Sequence, residues 1–382
     1  MNTRQSTPPT SRRLLRTTAA LVIGAVLATA CGGGDAADVV EDLVEDLTST
    51  TVTGSTASPT SAPADADEPA VEDDFEDDFE DPAHRMPLTG EPLESAEDIP
   101  DRPALAVKMP NNPQAMPQTG LNEADIVFEE IINDRITRFA AVFHSQGSDP
   151  VGPIRSGRAQ DVDLLSSLNS PLFAWSGGNA GVTRLVNASS LVSLNYVGGY
   201  GNSYFRRDGR GGSPHNLFSD TDTLWSHTPD EFEVPAPIFP YLRPGEAVDG
   251  DGASIIEVTM DSIDVRWEYD EATGRYERWQ DGDEHMTELT GQVWADNVVV
   301  MFMNYVSGVI DARSPEAQSV GSGPLLVFTD GVVRTGVWSR PDNTSGFTFA
   351  TDESGEELIR LSPGRSWVEL ARNDPANVQY VS

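Results

Sequence analysis

Two arginines three positions apart close the turn Val151-Gly152-Pro153-Ile154-Arg155-Ser156-Gly157-Arg158, and Asp161 and Asp163 follow at once. Arginine offers a planar fork of donors that matches phosphate or carboxylate oxygens. Glycine lets the backbone approach such a group closely, and free amides at a helix start favour an anion. A second cluster is Glu129-Glu130 with Asp134, Arg135 and Arg138. A third runs from Tyr204-Phe205-Arg206-Arg207-Asp208 through a glycine-rich stretch into Pro214-His215-Asn216. Arg206, His215 and Asn216 could form an opposite wall, where a histidine donates to an oxyanion or serves as acid or base. The candidate ligand-binding set is therefore Arg138, Arg155, Ser156, Arg158, Arg206, His215, Asn216, Glu129 and Glu130. The same residues also permit a purely structural outcome, in which the arginines pair with Asp161, Asp163 and the two glutamates.

The elements that must position these groups are strands and short helices. Ala104–Val107, Asp125–Ile132, Thr137–Phe143 and Leu172–Trp175 read as strands. Val162–Leu168, Asn179–Leu185 and Asp222–Ser226 read as helices. The arginine turn falls between a strand and a helix, a common place for ligands. Residues 99–235 thus predict a layered α/β ligand-binding domain. Residues 236–251, rich in Pro, Gly and acid, read as a linker. Residues 252–382 carry Ile255–Met260, Val265–Tyr269, Tyr276–Trp279, Val298–Met303, Leu325–Phe328, Val332–Trp338, Glu357–Leu361 and Trp367–Leu370, separated by turns such as Asp330-Gly331. This half predicts a mainly antiparallel β domain, and the whole an α+β fold. Trp267, Tyr269, Tyr276, Trp279 and Trp294 could stack on sugars or pair across strands in the core.

Ahead of these elements, Arg12, Arg13 and Arg16 precede an apolar run, and Ala28-Thr29-Ala30 lead to Cys31, the single cysteine. Residues 1–30 read as a lipoprotein signal cleaved before a lipidated Cys31. Ser11-Arg12-Arg13-Leu14-Leu15 also suits twin-arginine export, so the route stays open. Two acyl chains would anchor the protein stably to the outer face of the bacterial cytoplasmic membrane. Residues 31–98 are acidic and poor in apolar groups, which predicts a disordered tether. The formal net charge of -36 argues against nucleic acid as a partner, since a phosphate backbone would be repelled. No Gly-Lys pair permits a Walker loop, no His-x-x-x-His or cysteine cluster suggests zinc, and no Gly-x-Ser-x-Gly elbow is present.

The ordered series Asn111, Pro117-Gln118-Thr119-Gly120-Leu121, Ala124-Asp125-Ile126-Val127-Phe128-Glu129-Glu130, Ile136-Thr137-Arg138-Phe139 and Val151–Arg158 resembles the YerB-like bacterial lipoproteins. Arg206, Pro214-His215-Asn216-Leu217, Tyr276, Asn297-Val298-Val299-Val300, Gly336-Val337-Trp338 and Gly364-Arg365-Ser366-Trp367 continue the likeness over nearly all of 100–382. The resemblance implies a two-domain envelope lipoprotein and implies no activity.

The leading expectation is a membrane-tethered, non-catalytic protein that needs no cofactor. It would bind an anionic, phosphorylated or carboxylated cell-wall-related ligand in an arginine-lined cleft. The loop style is also loosely similar to the LytR-CpsA-Psr phosphotransferases, which act on lipid-linked cell-wall glycopolymers. In that alternative Asp161, Asp163 or Glu130 would hold Mg²⁺. A scaffold that binds only a protein partner is the third reading.

Overall fold

The computed structural model describes residues 79–382; the signal, Cys31 and residues 31–78 of the expected tether lie outside the described residues. An eleven-stranded mixed sheet dominates. From the first half it takes β1 (Leu105–Pro110), β2 (Ile126–Ile131), β3 (Thr137–Phe143), β4 (Leu172–Trp175) and β5 (Val192–Asn195). A six-stranded sheet, antiparallel throughout, is built on β6 (Ile255–Met260), β7 (Ile263–Asp270) and β8 (Arg275–Gln280). The second half also returns β9 (Asn297–Met303), β10 (Gly321–Thr329), β11 (Val332–Arg340) and β12 (Ser366–Arg372) to the large sheet. The last strand, β13 (Val378–Val381), goes to the small sheet.

The large sheet runs β11-β10-β9-β12-β2-β3-β1-β4-β5, with Asp251–Gly252 beyond β11. Strand β12 lies parallel to both β9 and β2, so it joins the two halves of the chain by hydrogen bonds. Its sequence explains this central place. Trp367 and Ala371 face one core, Val368 and Leu370 the other, and a strand apolar on both faces must be covered on both. Adjacent residues of a strand point to opposite faces. One core lies between the two sheets, where Trp267 of β7 meets Trp367 edge-on at 5.3 Å. The other lies beneath α1 (Gln160–Leu165) and α2 (Ala180–Asn187).

The helices are few and short. Asn179 caps α2 by accepting from the Val182 amide, and Asp220 caps α3 (Thr221–Trp225) in the same way. The first half is therefore a mixed sheet with sparse helical cover. Residues 236–251 contribute buried Ile238, Phe239 and Tyr241, and Phe239 stacks on Phe349 at 5.2 Å. The Tyr241 hydroxyl donates to the Leu88 carbonyl, so packing begins ahead of residue 99. Glu357–Leu361, expected as a strand, forms no ladder. Its amides divide between two partners, Ile359 bonding Phe349 and Leu361 bonding Pro240.

Candidate functional site

Strand alternation decides which candidates meet. On β2, Glu129 points into the core between the sheets and Glu130 points to the helix side. Arg138 on β3 and Lys108 on β1 share the side of Glu130. The turn carrying Arg155 is wedged between strand ends. The Arg155 amide donates to the Lys108 carbonyl at 2.8 Å, and the Ser176 amide donates to the Arg155 carbonyl at 2.9 Å. These bonds deliver Arg155, Ser156 and Arg158 to the edge of Arg138, whose guanidinium donates to the Ser156 carbonyl at 2.6 Å. Gly177 is left-handed there (φ 85°), and a Cβ on it would stand 3.3 Å from the Ser156 hydroxyl.

Arg138, Arg155 and Arg158 form one cationic cluster. Burial lowers the pKa of Arg138, and the charges of Arg158 and Arg155 lower it further. Burial and then Arg158 do the same to Arg155. Burial also lowers Arg158, against the pull of Asp161 and Glu130. An arginine so placed stays charged, so the shifts report burial first and, at Arg138 and Arg155, crowding of like charge as well. Among the described residues, no carboxylate lies within 4.0 Å of any of these three guanidinium groups. Arg158 is held by the Asn133 side-chain carbonyl at 2.7 Å. The Nε atoms of Arg155 and Arg158 are buried with no partner. His215 joins the group: burial lowers its pKa, and Arg155 and Arg138 lower it further, which favours the neutral ring.

The acids expected to neutralise the arginines are occupied elsewhere. Lys108, the only lysine, is fully buried and bridges Glu130 and Asp161, with its Nζ 2.6 Å from Asp161 Oδ1. Gln160 donates to the other Glu130 oxygen, and its carbonyl accepts the Ala317 amide. Burial and the Asp161 charge push Glu130 up to about 8 despite Lys108. Glu130 therefore holds its proton more tightly than a free carboxyl does, while Lys108 touches both acids. The expected ion pairs of these arginines with Asp161, Asp163 and the glutamates do not form among the described residues, because Asp161 and Glu130 close on Lys108 instead.

The placement of Glu130 has a consequence for stability. Unfolded, this carboxyl titrates near 4.5, and folded near 8, so the native state holds the proton more tightly. That contribution is complete below about 4.5 and is lost as pH rises through about 8. Thermal melts should show the midpoint falling between pH 6 and pH 9, with a shallower fall in Glu130→Gln. Equal slopes in the two proteins would contradict this assignment.

The remaining candidates are dispersed. Glu129 does not line an opening. It is fully buried, accepting from Thr137 (2.6 Å), Asn111 (3.1 Å) and Arg278 (2.8 Å). Beside it, burial and the Glu129 charge raise Glu369 well above the usual carboxylate range. A proton retained on Glu369 lets it donate to Glu129. Burial and Arg278 hold His285 neutral, its Nδ1 accepting from Arg278 and its Nε2 donating to Gln118 at 3.0 Å. Arg206 is exposed and turns to Asn216 Oδ1 (2.8 Å) and the Tyr196 ring. Asn216 is thereby taken by Arg206. The amide expected to be free at the start of α1, that of Arg158, is bonded to Asp161 Oδ2 at 2.5 Å.

Magnesium does not fit the acids offered for it. Asp161 and Glu130 are closed on Lys108, which stands where a cation bridging them would have to lie. Asp163 is exposed and accepts from Asn343 at 3.0 Å. Two residues apart on a helix, Asp161 and Asp163 do not share a face. Lys108, Gln160, Asn111, Arg278 and Glu369 were not among the expected site residues.

Comparison with known proteins agrees with this architecture. Residues 88–233 match the model of the "Protein of unknown function (DUF3048) N-terminal domain", and residues 256–368 match that of the C-terminal domain. "Putative lipoprotein YerB" of Bacillus subtilis (strain 168) is 27% identical over 294 residues, covering 75% of this chain and 86% of that protein. The crystal structure of YerB from Bacillus subtilis shares the fold, with a TM-score of 0.67 at 23% identity over 78% of this chain and 100% of that one. The chain belongs to the DUF3048 family of proteins of unknown function, whose N-terminal and C-terminal domains it carries in order.

Proposed function

We propose that this chain is a lipid-anchored envelope protein that holds an anionic, phosphorylated or carboxylated cell-wall-related ligand at Arg138, Arg155 and Arg158, with His215 alongside. One observation carries the proposal. Among the described residues, three clustered guanidinium groups have no carboxylate within 4.0 Å, in a chain with a net charge of -36. Crowding like charge costs energy unless an anion relieves it. The neighbouring acids are diverted to Lys108, which preserves the positive potential. The signal-like start, Cys31, and a relative bearing the name lipoprotein support an anchor at the outer face of the cytoplasmic membrane. The acidic residues 31–78 would then serve as a tether between membrane and folded body.

Calorimetric titration of the chain with inorganic pyrophosphate tests the site. Saturable binding of one anion per chain is expected, weakening as salt rises. Arg155→Ala should weaken it about tenfold to a hundredfold, the value of one charged hydrogen-bonding partner. Absence of binding, or equal binding by the variant, would remove the proposal.

A further inference from the structure

A row of neighbouring cavities leads away from the arginine cluster, and its chemistry differs from that of the cluster. It begins in a cavity of about 210 Å³ lined by Arg158, Asn133 and Arg313. Asn133 and Arg313 also line the next cavity, of about 280 Å³, which adds Tyr305 and Ser307. That cavity shares Arg135, Asp261 and Arg372 with a third, of about 510 Å³, which ends at Asn377. The shared residues make the three neighbours in one row, the trough, with Arg158 at one end.

Some charges of this trough are paired within its own walls and several carboxylates are not. Arg372 grips Asp261 through two bonds, the second at 2.9 Å, and Arg313 is paired with Asp311 at 3.2 Å. Asp134, Glu316 and Asp374 line it with no cation within 4.0 Å among the described residues. A chain charged along its whole length would meet those carboxylates and be repelled. The other polar lining is hydroxyl and amide, from Asn133, Ser307, Ser314, Thr259 and Asn377, beside Arg135 and apolar walls from Ile132, Val306, Pro315 and Ile310. The hydroxyl and amide groups both donate and accept, which suits hydroxyls.

Resting on the anion site proposed above, we infer that the ligand is a glycan with its phosphate or carboxylate at the arginine cluster and its uncharged, polyhydroxylated body lying in the trough. Arg158 serves both parts. It belongs to the cluster, and its fork reaches Asn133 at the mouth of the trough.

Affinity should therefore grow with glycan length. The probes are N-acetylglucosamine 1-phosphate and the 1-phosphates of chitobiose, chitotetraose and chitohexaose, titrated into the chain. Kd should fall about tenfold or more from the first to the last, equivalent to about 1.4 kcal/mol. Ser307→Trp, at an exposed position in the middle of the trough, should erase that gain while leaving the monosaccharide phosphate unaffected. Two results would overturn the inference while the anion site stands: equal Kd at all lengths, or an equal gain for polyphosphates of matched length. Failure of every phosphate to bind would remove the anion site itself.

Discussion

Lys108→Met destabilises the protein by about 3–5 kcal/mol, read from urea unfolding, although methionine fills nearly the same volume. Among the described residues the ammonium group is the sole cation touching Asp161 and Glu130, and all three side chains are fully buried. Removing it leaves a buried carboxylate uncompensated, which costs more than the ion pair itself contributes. Adding Asp161→Asn should recover most of the loss, because the amide keeps an oxygen for the Arg158 amide and carries no charge. The single variant should also bind pyrophosphate more weakly, as the freed Asp161 charge turns toward Arg158 and Arg138. A stability loss under about 1 kcal/mol would show that Lys108 is not the counter-charge assigned to it.

Arg278→Leu is the second large effect, again about 3–5 kcal/mol. Its guanidinium bonds Glu129, Gln280 and His285, and lies over the Trp367 ring at 5.0 Å. These partners come from β2, β8, β12 and the loop after β8, so the variant unties the small sheet from the large one. Glu129 would be left buried beside Glu369, two carboxyls with one proton between them and no cation. Glu129→Gln in the same background should restore part of the loss. Pyrophosphate affinity should be nearly unchanged, since this network lies on the opposite face of β2 from the arginine cluster. Lys108→Met and Arg278→Leu therefore separate binding from stability.

Much of the fold was legible because apolar alternation is a local signal. Thr137–Phe143 and Ile255–Met260 fall where their patterns place them. Less legible was the sheet to which each strand belongs. The sequence of β12 asks for cover on both faces, but only long-range pairing sets it between β9 and β2. The split of Glu129 from Glu130 follows directly from strand alternation, and treating adjacent acids as one group overlooked it. Lys108 carried a readable signal as well. A lysine inside Leu105–Pro110, a strand buried along its length, has to be paired. Arg278 and Glu369 were beyond reach, because each is explained only by a partner more than 90 residues away. The convergence of Arg138, Arg155 and Arg158 likewise depends on the backbone bond from Arg155 to Lys108, which no spacing in the chain announces.

The central claim is that three guanidinium groups meet with their charge unspent. Crystals of the protein soaked in selenate test it most directly, since this tetrahedral dianion scatters anomalously and resembles phosphate. The account predicts one strong anomalous peak with its oxygens bonded to Arg155 and Arg158 and facing Arg138. It is contradicted if no peak lies there, or if the map shows the three side chains each bonded to a protein carboxylate.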